Sequence, residues 1–181
     1  MKKLVLAVVL MGALTACSQQ PTDTSSPSDS SNQSSSEQST TQPQQNTDQQ
    51  DLADYHNQIN APFSTLLTDV QTVNQLVAEG SQNPGELTTQ DYQDRVQQAC
   101  NTMENDAQAV EDIPTPSNPK VAAIAKEVLL GVDQVKFVAE NLPTGVDNMD
   151  VNTINSCTQA FQNGATDFNQ ATSLENEFNQ Q

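Results

Sequence analysis

Few of the side chains can do chemistry. One histidine, His56, three cysteines, Cys17, Cys100 and Cys157, and 23 carboxylates stand among 181 residues. A di-iron carboxylate site in a helical bundle needs a Glu-x-x-His pair on each of two helices, and no such pair occurs. Zinc and haem ligation fail for the same shortage of histidine and thiolate. Ser-His-Asp chemistry would have to recruit His56 with a distant serine, and there is no nucleophile-elbow sequence. His56 therefore reads as a solvated surface residue. The acids gather at Asp147 and Asp150, with Asn148 between them, and again at Glu111 and Asp112. The first group lacks the spacing of a calcium loop, so it reads as helix caps. Sugar hydrolysis by paired carboxylates relies on aromatics around a cleft, whereas this chain has no tryptophan and two tyrosines. The expectation is a protein that is not an enzyme, with no catalytic residue, metal ligand or cofactor.

Cys17 belongs to a different kind of chemistry. It ends the tetrapeptide Leu14, Thr15, Ala16, Cys17, which closes an apolar run from Leu4 to Leu14 behind the charged tip Lys2 and Lys3. That layout is a secretory signal, and the run falls well short of the ~20 residues a membrane span needs. The tetrapeptide resembles the lipobox of bacterial prolipoproteins. The resemblance covers residues 1–17 alone and implies an address and an anchor. Residues 1–16 would be removed, and Cys17 would carry a thioether-linked diacylglycerol and often a third, palmitate-type acyl chain. At ~0.8 kcal/mol per buried CH₂, several chains hold a protein on a membrane nearly permanently. Ser18 stands where an aspartate would retain an enterobacterial lipoprotein at the inner membrane. The implied location is the bacterial cell envelope: the outer membrane where the cell has one, otherwise the outer face of the cell membrane.

With Cys17 lipidated, Cys100 and Cys157 remain, an even number in an exported chain, and a disulfide between them is expected. The closed loop would be worth about 4 kcal/mol on the chain-entropy argument. Two separate buried thiols or a redox pair are the alternatives. The redox reading lacks a C-x-x-C motif and an adjacent Lys, Arg or His to lower a thiol pKa.

The formal net charge is −17, from six basic and 23 acidic residues. Loss of Lys2 and Lys3 with the leader would leave only Arg95, Lys120, Lys126 and Lys136 on the basic side. Such a surface repels phosphate backbones and anionic headgroups, so nucleic acid is excluded as a partner, and high charge keeps a chain soluble. From Ser18 to about Gln50 the chain is Ser, Gln, Thr, Asn and Pro with four acids, Asp23, Asp29, Glu37 and Asp48, and no Leu, Ile, Val or Phe. With nothing to bury, it is expected to be a disordered tether spanning ~30 Å on average.

The domain expected over 51–181 is helical throughout. Leu52, Tyr55, Ile59, Phe63, Leu66, Val70, Val73 and Val77 step by three and four, with Gly80 as terminator and Pro62 expected to kink or split the helix near Gln58. A second helix runs from Thr88 or Thr89 to Ile113 on the stripe Tyr92, Val96, Ala99, Met103, Ala107 and Val110, with Cys100 at its edge. Asn118 before Pro119 starts a third, broadly apolar helix that is expected to stop before Pro143. Asp147 and Asp150 offer caps for a fourth, from Val151 to Phe178, on Ile154, Cys157, Phe161, Ala165, Phe168 and Ala171.

Four helices with short links and no strand-like alternation argue for an all-α, up-down-up-down antiparallel four-helix bundle behind the tether. In a square bundle the second and fourth helices lie on a diagonal, and bridged cysteine Cα atoms must come within ~7 Å. The disulfide therefore calls for a flattened bundle in which the second, third and fourth helices form a triangle, with Ala99, Gly131, Ala160 and Gly164 permitting close approach. Two functions follow from this layout. One is an acidic bundle displayed from a lipid anchor at Cys17 for interaction with another envelope protein or for envelope assembly, with Phe137 as the aromatic least committed to the core. The other is a module that holds a small apolar or cationic ligand between helices where Gly131 and Gly164 leave room.

Overall fold

The computed structural model describes residues 42–180, with side chains described from 47. The expected signal segment, Cys17 and most of the expected tether lie outside them. Four helices follow one another: α1 (Gln42–Gln82), α2 (Gln90–Glu111), α3 (Pro119–Asp147) and α4 (Val151–Asn179), with a 3-10 turn at Glu86–Thr88 between the first two. Among the described residues there is no strand, and no helix is long and apolar enough to cross a membrane.

The caps are largely those the sequence offers. Thr89 accepts from the Tyr92 amide, Asn118 from the amides of Lys120 and Val121, and Asp150 from those of Asn152 and Thr153. Each side chain satisfies amide donors that the first turn of a helix leaves unpaired. Asp147 is not the cap of α4; it is the last residue of α3.

Neither internal proline ends its helix. α1 runs unbroken through Pro62, and α3 continues through Pro143 for another turn to Asp147. Each costs the carbonyl four residues earlier its helical donor, Gln58 or Ala139. Packing compensates at the second, because Leu142, Pro143, Gly145 and Val146 are all buried. The α3–α4 link is then very short and passes through Met149 at φ 50°, a left-handed conformation that usually calls for glycine.

Gly80 does not terminate α1 either. It lies inside the helix, where a methyl group would come within 2.5 Å of the Tyr92 hydroxyl and 2.6 Å of Leu87. The glycine is there for close approach: Tyr92, 1% exposed, reaches over it to donate to the Leu76 carbonyl at 2.6 Å.

At its other end α1 begins upstream of the apolar pattern, within the segment read as tether. Asp48 and Asp51 accept from the Asn118 side-chain amide at 2.8 and 3.1 Å, and Lys120 pairs with Asp48 at 3.4 Å. Asn118 is buried and satisfied on both sides, capping α3 with its oxygen and holding α1 with its nitrogen.

The four helices pack around one apolar core. α3 packs along α4 and also against α2, which explains its broad apolar face, while α1 packs on α2 and only lightly on α3. Neither α1 nor α2 lies closely along α4. The expected triangle of α2, α3 and α4 is therefore not formed, and the four-helix ring is open between α1 and α4.

Candidate functional site

The open side is a groove of about 510 Å³. Ile124 and Val128 of α3 contribute its floor, Tyr55, Ile59 and Phe63 line it from α1, and Phe168 and Ala171 from α4. Two side-chain contacts bridge the helices that flank it. Phe63 meets Phe168 edge to face, with ring centroids 5.0 Å apart at 82°, the arrangement that sets a ring's positive edge against a negative face. At the rim His56 Nε2 lies 3.3 Å from Glu175 Oε2. The hydrogen bond to Glu175 raises the His56 pKa above the usual imidazole value, against the opposing effect of partial burial. His56 is a partly exposed surface residue, as the sequence implied, but it has a partner. Its partner is far away in sequence, and only the fold brings Glu175 to it. Burial raises the neighbouring Tyr55 hydroxyl to about 12, so it stays neutral and able to donate.

Gly131 and Gly164 do not provide a cavity. The Phe168 ring occupies the space beside Gly131, where a methyl group would overlap it, and Gly164 lets α4 approach the Gly131 carbonyl, 3.1 Å from where a Cβ would sit. These glycines serve helix packing, and the ligand-sized space lies elsewhere, at the groove.

Cys100 and Cys157 are both buried, and both are free thiols. The expected disulfide is absent: α2 and α4 each pack along α3 and have few close contacts with each other, although Cys157 lies near enough to act on the Cys100 thiol. Burial raises Cys100 to about 12, with a smaller contribution from the Cys157 thiol, and burial alone raises Cys157 to about 11. Both are thereby poor nucleophiles. Cys100 is also at the centre of the α2 stripe, fully buried, with Ala99 at the edge, the reverse of the order expected.

No protein-family model matches the chain, and comparison with curated proteins and with solved structures gives no match.

Two further features stand out, and the first was not legible in the sequence. Asp69 of α1 is raised to about 6 by burial and by the Asp106 carboxyl of α2 beside it. Its Oδ2 is buried with no donor within reach, so a proton shared with Asp106 is the natural way to satisfy the pair. Spacing gives no sign of it, because the two acids lie on different helices. The remaining charged contacts tie neighbouring helices together, Arg95 to Glu79 with two hydrogen bonds and Lys136 to Glu111 at 2.7 Å. No group of three or more His, Cys, Asp or Glu among the described residues is placed to hold a metal ion.

The second feature is on the outer face of α3. Leu130 and Phe137 are 40% and 42% exposed. Seven residues is close to two helical turns, so they share one side of the helix. Phe137 also lines a shallow hollow with Gln134, Gln159 and Asn163.

Proposed function

We propose that this protein is a non-catalytic, membrane-anchored envelope lipoprotein that displays a small acidic helical bundle for interaction with another envelope protein. In this reading Cys17 carries the lipid, the segment between Cys17 and the start of α1 is the tether, and the bundle is up-down-up-down and antiparallel. The pairs Glu79–Arg95 and Gly145–Thr153, each joining the end of one helix to the start of the next, and Asp51–Asn118, joining the starts of α1 and α3, support that topology.

The observation that carries the reading is the exposed pair Leu130 and Phe137. Scattered apolar residues on a surface are ordinary. Two large ones aligned on a single helix form an anchor that an apolar pocket on a partner would cover.

The test is site-specific photocrosslinking in intact cells with the reactive group at position 137, compared with exposed Thr102 on α2. A discrete adduct from 137 and none from 102, lost on Leu130→Ser, is the expected result. Equal labelling at both positions, or none at 137, refutes the surface. Separately, Cys17→Ala is expected to leave the bundle folded and move the protein out of the washed membrane fraction. An unchanged membrane fraction refutes the anchor.

A further inference from the structure

The groove between α1, α3 and α4 lies apart from Leu130 and Phe137 and carries an inference of its own. Its volume, about 510 Å³, is within the ~300–1,000 Å³ of small-molecule sites. Its lining is mostly apolar and aromatic, including Ile124, Val128, Phe63 and Phe168, with Asn57, Asn60 and Thr172 as neutral polar groups. One carboxylate, Glu175, stands in its lining, and its partner there is an imidazole, which loses its charge when deprotonated. We propose that this groove binds a small organic ammonium ion with an aromatic or aliphatic body. The body lies on Ile124, Val128 and the two phenylalanine rings, and the ammonium takes Glu175 in place of His56.

Three features select this class of ligand over its neighbours. A neutral apolar molecule would use the floor and leave Glu175 with its histidine. An anion would meet both Glu175 and the field of a chain carrying 23 acids and six bases, which concentrates cations and excludes anions. An ammonium gains a charge-assisted hydrogen bond to the carboxylate, and aromatic faces attract the positive charge as it enters. The edge-to-face pair of Phe63 and Phe168 also fixes one wall, so little ordering is needed when a ligand docks.

The experiment uses the full chain in lipid nanodiscs, with empty nanodiscs as reference, titrated calorimetrically with three probes of one shape: 4-phenylbutylammonium, 4-phenylbutanol and 4-phenylbutyrate. The ammonium is expected to bind at least about tenfold tighter than the alcohol, and the carboxylate not to bind. Glu175→Gln should bring the ammonium down to the affinity of the alcohol and leave the alcohol within about twofold. His56→Ala should strengthen ammonium binding, because the competing partner is gone. Ala171→Leu, which fills the groove, should weaken ammonium and alcohol together. Thermal melts of each variant separate loss of binding from loss of fold. Equal binding of the ammonium and the carboxylate, unchanged ammonium affinity in Glu175→Gln, weakened binding in His56→Ala, or no binding of any probe to a folded chain overturns the proposal.

Discussion

Replacing Gly80 with alanine sets two rules of helix stability against each other. By intrinsic propensity an alanine inside a helix is better than a glycine by about 1 kcal/mol. At this site the added methyl would sit 2.5 Å from the Tyr92 hydroxyl oxygen, 3.0 Å from its Cζ and 2.6 Å from a Leu87 methyl. Leu87 is the end of a flexible side chain and can turn away. Tyr92 cannot do so freely, because it is 1% exposed and its hydroxyl is engaged with the Leu76 carbonyl at 2.6 Å. Relief therefore costs about 1–3 kcal/mol of overpacking plus about 1 kcal/mol for the weakened buried hydrogen bond. Less the propensity gain, Gly80→Ala should destabilise by about 2 kcal/mol, a fall in Tm of roughly 6–10 °C for a domain of this size. A double-mutant cycle with Tyr92→Phe, followed by urea denaturation, tests the cause. Without the hydroxyl the closest contact disappears, so the alanine should cost much less when Tyr92→Phe is already in place. A Gly80→Ala protein more stable than wild type, or a cost unchanged by Tyr92→Phe, would refute the reasoning.

Asp69→Asn should stabilise the protein by about 1 kcal/mol at pH 7, partial exposure reducing the effect. Asp69 has its folded pKa raised to about 6, so the wild type loses stability as pH rises from the usual aspartate value through 6, and the advantage of the variant should vanish near pH 4. Melts across that range decide it, and a pH-independent difference would count against the acid pair. For His56, the sole histidine, a proton NMR titration should give a pKa above 6.5 that falls in Glu175→Gln. Stability from this pair is complete below the unfolded imidazole pKa and lost as pH rises through the raised one, and an unshifted titration would remove the contact. Cys100 and Cys157 should resist a thiol reagent in the native protein and react promptly in denaturant, whereas a pair unreactive even when unfolded without reductant would mean that they are bridged.

Helix number, type and most caps were readable because they depend on local sequence: three-four spacing, Asn118 before Pro119, and Asp150 at the start of α4. The misreadings all concern what a neighbouring helix does. Pro143 is a stop signal only until burial of Val146 favours one more turn. Gly80 has the composition of a terminator, but its use depends on Tyr92, which arrives from another helix. Asp48, in a stretch with nothing apolar to bury, is held by the Asn118 amide. The same limit applies to the candidate sites. Phe137 was picked out because it fits no seam, a property of its own helix. The His56–Glu175 pair, the Asp69–Asp106 pair and the groove each need two or three helices to be placed first, and no spacing rule contains them.

The double use of Asn118 has a mechanical consequence. A pull applied from the N-terminal side enters the domain along α1, about 60 Å of helix by its 41 residues, and first loads the hydrogen bonds from Asn118 to Asp48 and Asp51. Because α1 lies chiefly along α2, with little hold on α3 and only the His56–Glu175 and Phe63–Phe168 contacts to α4, the contacts that resist would come loose in sequence from the loaded end and not all together. A partner seated on the far side of α3, if the proposed surface takes one, would be spared that strain, because α3 and α4 are clasped at Gly131 and Gly164 and would stay joined while α1 yields.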